Sequence, residues 1–192
     1  HKEYRRQRQM CIRDRIFTGR IASNKCQQDV IHAFGLYQKY YNSNSRLILV
    51  GNEGGYETYK LKMQKYAQLN CIKNVIFTGH IRFAEILACY KAADLFLCMS
   101  EHEGFCVPLV EAMYFKIPVI AYNSSAVGET LGKGGILLNE KNALETAALM
   151  DKILKDEGLQ KKIIANQNER LDDFAHDKIL ARFNELLREN VL

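Results

Sequence analysis

Two glutamates eight residues apart, Glu103 and Glu111, bracket a Gly104-Phe105 turn and a proline, Pro108, directly after an apolar run. Pro108 suits a first helical position, where a missing N–H costs no intrahelical bond. Residues 104–107 are therefore expected to turn into a helix whose free N–H groups face outward, and such a helix start is an anion site. Gly104 would let the backbone approach a ligand closely. Glu103 in the loop and Glu111 one turn into the helix could address that same ligand. A second constellation is Gly19, Arg20 and Lys25. Two cations five residues apart, between a strand and a helix, could clamp a diphosphate, Arg20 through its planar fork and Lys25 as a point charge. No Asp-x-Asp occurs, so no carboxylate anchor for a metal-bridged diphosphate is evident and no metal is expected.

Short β-branched runs alternate with segments of helical period, the pattern of βα units and a parallel sheet. Strands are expected at 16–18, 46–50, 74–78, 95–99 and 118–121, with a weaker one at 135–138. The first helix carries the stripe Val30, Phe34, Tyr37 and Tyr41, spaced for one helical face. Further helices are expected near 57–69, 82–92, 105–115 and 143–156, followed by two tail helices at 158–171 and 176–190. The fold class is α/β, a doubly wound Rossmann-like parallel sheet with C-terminal helices, and ligand belongs where loops leave the carboxyl ends of the strands. The amphipathic last helix is expected to pack on its own sheet, with a partner domain as its other destination.

The chain has 192 residues, 47% of them hydrophobic, and a formal net charge of +5. That composition excludes a disordered, collagen-like or disulfide-miniprotein class. Most of the charge lies in residues 1–15, where Lys2, Arg5, Arg6, Arg8, Arg13 and Arg15 face only Glu3 and Asp14. The run from Met10 to Arg15 resembles the translation of a transposon end used in building sequencing libraries. Residues 1–15 are therefore read as a non-native leader and 16–192 as the domain, and no nucleic-acid partner is expected. The six cysteines show no C-x-x-C spacing and read as reduced core thiols of a cytoplasmic protein. No apolar run approaches a bilayer span, so any membrane association is expected to be peripheral.

From Phe17 to about Phe174 the chain resembles the C-terminal, donor-binding domain of a GT-B glycosyltransferase of family 4, the retaining nucleotide-sugar transferases. The resemblance rests on FTGRIASNK, RLILVGNEGG, NVIFTGHI, AADLFLCMSEHEGFCVPLVEAM, PVIAY and GETLGKGGILL. It implies that Arg20 and Lys25 hold the donor diphosphate beside Gly19, that Glu103 contacts sugar hydroxyls, and that Glu111 binds the nucleotide ribose. Glu103, Arg20 and Lys25 are the implied catalytic residues. Backbone N–H groups of Phe105, Cys106 and Val107 after Gly104 would meet the phosphates, and the loop with Gly79, His80 and Ile81 would lie near the base. Cys106 stands where the family commonly has glycine, and Tyr114, Phe115 and Lys116 replace its usual small residues. His102 is either an ordinary loop histidine or a donor-side hydrogen-bonding group.

The resemblance further implies a hexosyltransferase of polysaccharide biosynthesis that takes a UDP- or GDP-linked sugar and needs no cofactor. Its glycan or lipid acceptor would bind an N-terminal domain absent from these 192 residues, so the fragment alone is expected to be inactive. The full-length enzyme is expected in the cytoplasm or at the inner face of the cytoplasmic membrane. Two other classes compete: a non-catalytic nucleotide-binding α/β module, and a sugar-nucleotide epimerase or phosphorylase of related fold.

Overall fold

The computed structural model describes residues 13–190. Residues 1–12, most of the expected leader, and the last two positions of the expected C-terminal helical region lie outside the described residues. The strand β1 (Arg13–Thr18) leads through a 3-10 turn (Ser23–Lys25) into α1 (Gln27–Tyr40). There follow β2 (Ser45–Val50), α2 (Glu57–Leu69), β3 (Val75–Phe77) and α3 (Phe83–Ala92). The second half runs β4 (Leu95–Cys98), α4 (Val107–Tyr114), β5 (Val119–Tyr122), a short α5 (Val127–Leu131) and β6 (Ile136–Leu138). Three helices end the chain: α6 (Ala143–Lys155), α7 (Glu157–Asp172) and α8 (His176–Asn190). β1 begins three residues before the boundary read from the sequence. Asp14 and Arg15 are thereby strand residues, Asp14 paired with Arg46 at 2.6 Å and Arg15 under the Tyr37 ring at 4.0 Å.

All six strands are parallel, in the order β3-β2-β1-β4-β5-β6. The chain winds outward from β1 to β3, then crosses back to place β4 against the other side of β1. Helices cover both faces, so successive side chains of each strand are buried in opposite directions. Phe17, Leu47, Leu49, Leu95 and Leu97 meet Val30, Phe34 and Tyr37 of α1, Met63 of α2 and Met150 of α6. Ile16, Ile48, Val50, Phe96 and Cys98 meet Tyr90 of α3, Leu109 and Met113 of α4, and Leu131 of α5. α7 joins the two layers, with Ile163 in the first and Leu171 against the second. Its buried Gln167 donates to the Ile117 carbonyl at 2.8 Å, and the expected element pattern is otherwise matched to within a few residues.

The expectation that the last helix packs on its own sheet fails. Ile179, Leu180 and Phe183 of α8 are exposed and join neither core layer. Among the described residues no helix is long and apolar enough to cross a membrane.

Candidate functional site at the sheet's carboxyl edge

The strand order reverses between β1 and β4, and in a doubly wound sheet the loops on either side of that point diverge to leave a crevice. The loop after β1 carries Gly19, Arg20 and Lys25. The loop after β4 carries Glu101, His102, Glu103 and the start of α4. Across the crevice Lys25 Nζ donates to Glu103 Oε2 at 2.6 Å, with both side chains largely shielded from solvent. The loops are also joined through backbone, Glu101 N–H donating to the Asn24 carbonyl at 2.9 Å.

The first loop is built around a close approach. Gly51, at φ +144°, lies so near Gly19 that a Cβ there would sit 2.1 Å from the Gly19 carbonyl oxygen. Gly19 N–H donates to Val50 O at 2.9 Å, and Ile21 N–H to Asn52 O at 2.8 Å. Gly19, expected beside the diphosphate, thus also seats the β1 loop on the β2 loop. Buried Gln27 donates to the Arg20 carbonyl at 3.0 Å. Arg20 itself is exposed and its guanidinium lies 5.1 Å from the centre of the Tyr56 ring, within cation–π range. Lys25, not Arg20, is the cation paired with Glu103.

The second loop is pinned by side chains from downstream. Ser124 Oγ donates to the Ser100 carbonyl, Glu103 N–H donates to Ser125 Oγ at 2.8 Å, and Thr130 Oγ1 donates to the Phe105 carbonyl. Cys106 caps the start of α4 with a left-handed φ of +65°, and Pro108 lies in the first turn. This locates the glycine-like requirement. Gly104 has φ outside the left-handed region and open space where a Cβ would stand, so the demand for conformational freedom falls on Cys106 instead. Among the described residues none accepts from the N–H groups of Phe105, Cys106 or Val107, which leaves three donors at the helix start available to an anion. The Phe105 ring packs edge-on against Phe174.

Glu111 is held from the other side. The Tyr90 hydroxyl donates to Glu111 Oε2 at 2.7 Å, and the Tyr90 ring stacks on Phe115 at 5.3 Å. Burial first, and then the neighbouring carboxylate, push the Tyr90 phenol well above its ordinary value, so it stays a proton donor to Glu111. Phe115 therefore supports the buried tyrosine that orients Glu111. Of the expected base loop, Gly79 bridges Gly51, His80 is exposed and Ile81 packs on the second layer. His102 is exposed and offers its carbonyl to Asn24 Nδ2 at 3.4 Å.

Two groups were missed by sequence reasoning. Lys141, after β6, bonds Asp29 at 3.0 Å and Glu101 at 2.8 Å and lies under the Tyr122 ring, so it straps the start of α1, the loop after β4 and the end of β5 together. Partial burial opposes its charge, but the two carboxylates hold its pKa above the ordinary lysine value. Cys98, at the end of β4, sits beside Cys106. The Cys106 thiol, aided by Ser100, holds the Cys98 pKa below the ordinary thiol value, while the same pairing and burial push Cys106 up. A C-x-x-C search could not find a pair that only a strand-turn-helix brings together.

The family model described as "Glycosyl transferases group 1" matches residues 13–170. The chain belongs to the glycosyl transferases group 1 family. A GDP-mannose-dependent alpha-mannosyltransferase of Mycolicibacterium smegmatis is 30% identical over 64% of this chain and 29% of its own length. The capsular polysaccharide biosynthesis glycosyltransferase CapM of Staphylococcus aureus is 24% identical over 91% of this chain and 46% of its own. The chain thus spans less than half the length of these curated relatives. Among solved structures, the C-terminal domain of a glycosyl transferase group 1 family protein from Francisella tularensis superposes with a TM-score of 0.72 at 26% identity, covering 90% of this chain and 91% of that one. An Anabaena protein solved in complex with UDP and glucose gives 0.77 at 24% identity, covering 97% and 51%. The fold is that of a GT-B glycosyltransferase C-terminal domain.

Proposed function

We propose that the chain is the donor-binding part of a retaining, family 4 hexosyltransferase. It binds a UDP- or GDP-linked sugar at the carboxyl edge of the sheet, and an N-terminal domain supplies the acceptor, a glycan or lipid in polysaccharide biosynthesis. The observation that carries this reading is the Lys25–Glu103 contact beside three helix-start N–H donors that no described residue accepts from. It puts a cation, an anion site and a carboxylate within one crevice, which suits a diphosphate joined to a sugar. The GDP-mannose and capsular-polysaccharide relatives support a hexosyl donor.

In this reading the bond between the anomeric carbon and the diphosphate oxygen breaks with its electron pair leaving on the diphosphate. Lys25 and the N–H groups of Phe105, Cys106 and Val107 are aimed at that charge before it develops, the preorganised arrangement that supplies most of the stabilisation in such sites, and Arg20 joins them by leaving the Tyr56 ring. Lys25 keeps further N–H protons for the diphosphate while bonded to Glu103. Glu103 accepts from sugar hydroxyls and favours the oxocarbenium-like state. Glu111, fixed by Tyr90, accepts from the ribose. His80 and Ile81 flank the base, and no metal is invoked.

A thermal-shift panel of UDP, GDP, ADP and their hexose conjugates tests the reading. A selective rise in melting temperature with one nucleoside diphosphate and its sugar conjugate is expected, and no shift with any of them would refute it.

A further inference from the structure

Beneath the β4–α4 turn, Cys98 Sγ, Cys106 Sγ and a Glu103 carboxylate oxygen all lie within 4.8 Å of one another. Two thiols in a core are ordinarily inert packing. A carboxylate converging on both of them is not packing, and it comes from a turn whose backbone is already tied by Ser100, Glu103 and Phe105. Metal–sulfur bonds of about 2.3 Å and metal–oxygen bonds of about 2.0–2.2 Å in a tetrahedral zinc site separate neighbouring ligand atoms by roughly 3.5–3.8 Å. Closing the triad by about 1 Å therefore reaches that geometry.

We propose that Cys98, Cys106 and Glu103 bind one thiophilic divalent cation, with water as fourth ligand, and that this cation shuts the donor crevice. Binding releases both thiol protons to solvent. Two thiolates, a carboxylate and a doubly charged ion leave one net negative charge, which Lys25, bonded to Glu103 at 2.6 Å, balances. A carboxylate has two oxygens, so Lys25 and the cation can share Glu103, Lys25 acting as the outer partner that orients the ligand. The ion ties the end of β4 to the start of α4 and takes Glu103 out of reach of a sugar. It would be an inhibitor, not a cofactor. That consequence rests on the donor-site reading, whereas the site itself does not.

Zn2+ alone, titrated into the full chain against a chromophoric chelator under a non-thiol reductant, tests the site without any nucleotide. One Zn2+ per chain is expected. Cys106→Gly and Glu103→Gln should each weaken it by about tenfold or more, and Co2+ should give a thiolate charge-transfer band that Cys106→Gly reduces by about half. Glycine suits the left-handed backbone at 106, so a loss there is not misfolding. A variant with Cys11, Cys26, Cys71 and Cys89 all changed to Ser should bind as the parent does. No stoichiometric Zn2+, unchanged affinity in Cys106→Gly, or loss in the four-serine variant would overturn the site. Saturating Zn2+ should then lower nucleotide-sugar affinity about tenfold, and unchanged affinity would overturn the inhibition. If the chain binds no nucleotide at all, the donor-site reading falls and the inhibition with it, while Zn2+ binding stands.

Discussion

Lys25 and Glu103, 78 positions apart in the chain, meet at 2.6 Å because β1 and β4 are neighbours where the strand order reverses. The pair divides the work of the crevice, with Lys25 facing the diphosphate and Glu103 the sugar. Glu103→Gln should leave nucleoside diphosphate affinity within about twofold, while weakening the sugar conjugate by about 1.5 kcal/mol, a little over tenfold, the low end for a hydrogen bond to a charged acceptor. Calorimetry with both ligands reads the difference, and equal loss of both would contradict the sugar role.

Cys106 starts α4 at φ +65°, a conformation that costs a residue with a side chain about 1–2 kcal/mol. Removing the thiol by either Cys106→Ala or Cys106→Gly loses similar packing, but only glycine also relieves the backbone. Cys106→Gly should be more stable than Cys106→Ala by about 1 kcal/mol in urea denaturation. An alanine variant of equal or greater stability would mean the left-handed start carries no strain.

Gly51→Ala should be among the most damaging small substitutions. Its Cβ would meet a backbone oxygen at 2.1 Å, and backbone cannot swing aside as a side chain can. A loss of about 3 kcal/mol or more is expected, together with weaker nucleotide binding as the Gly19 loop is displaced. Near-parental stability by denaturation would contradict the close seating of the two loops.

The Lys141 strap carries a pH signature. Its hydrogen bond lowers the Glu101 pKa below the ordinary 4.5, while the carboxylates raise Lys141 above 10.5. A depressed carboxylate stabilises the fold above 4.5 and loses that contribution as pH falls through the lowered value. A raised lysine stabilises below 10.5 and loses it as pH rises through the raised one. Lys141→Met should therefore cost about 1 kcal/mol across the intervening range, as for other partly exposed pairs, with the difference shrinking at both extremes. A pH-independent difference would assign Lys141 to packing on Tyr122 alone.

Much of this architecture is legible in the sequence because it is local. The β-branched runs, the Val30–Phe34–Tyr37 stripe and Pro108 each announce an element through its own neighbours, and the strand endings place Arg20, Lys25 and Glu103 at one edge. What is not legible depends on contacts across the fold. Ser124, Ser125 and Thr130 look like ordinary polar loop residues until β5 lies beside β4 and they reach back to the Glu103 turn. Gly104 reads as the flexible residue because it is the glycine, yet the left-handed position is Cys106 two residues on. The exposed face of α8 has the same periodicity as a buried one, so its spacing alone does not tell that these apolar residues stay outside both core layers.

Isothermal titration of the preferred nucleoside diphosphate into the parent chain and Lys25→Ala tests the central claim most directly. The parent should bind, and Lys25→Ala should bind about 1.5–3 kcal/mol more weakly, the range of a hydrogen bond to a charged group. Equal affinity in the two proteins would contradict a diphosphate site at the β1–β4 crevice.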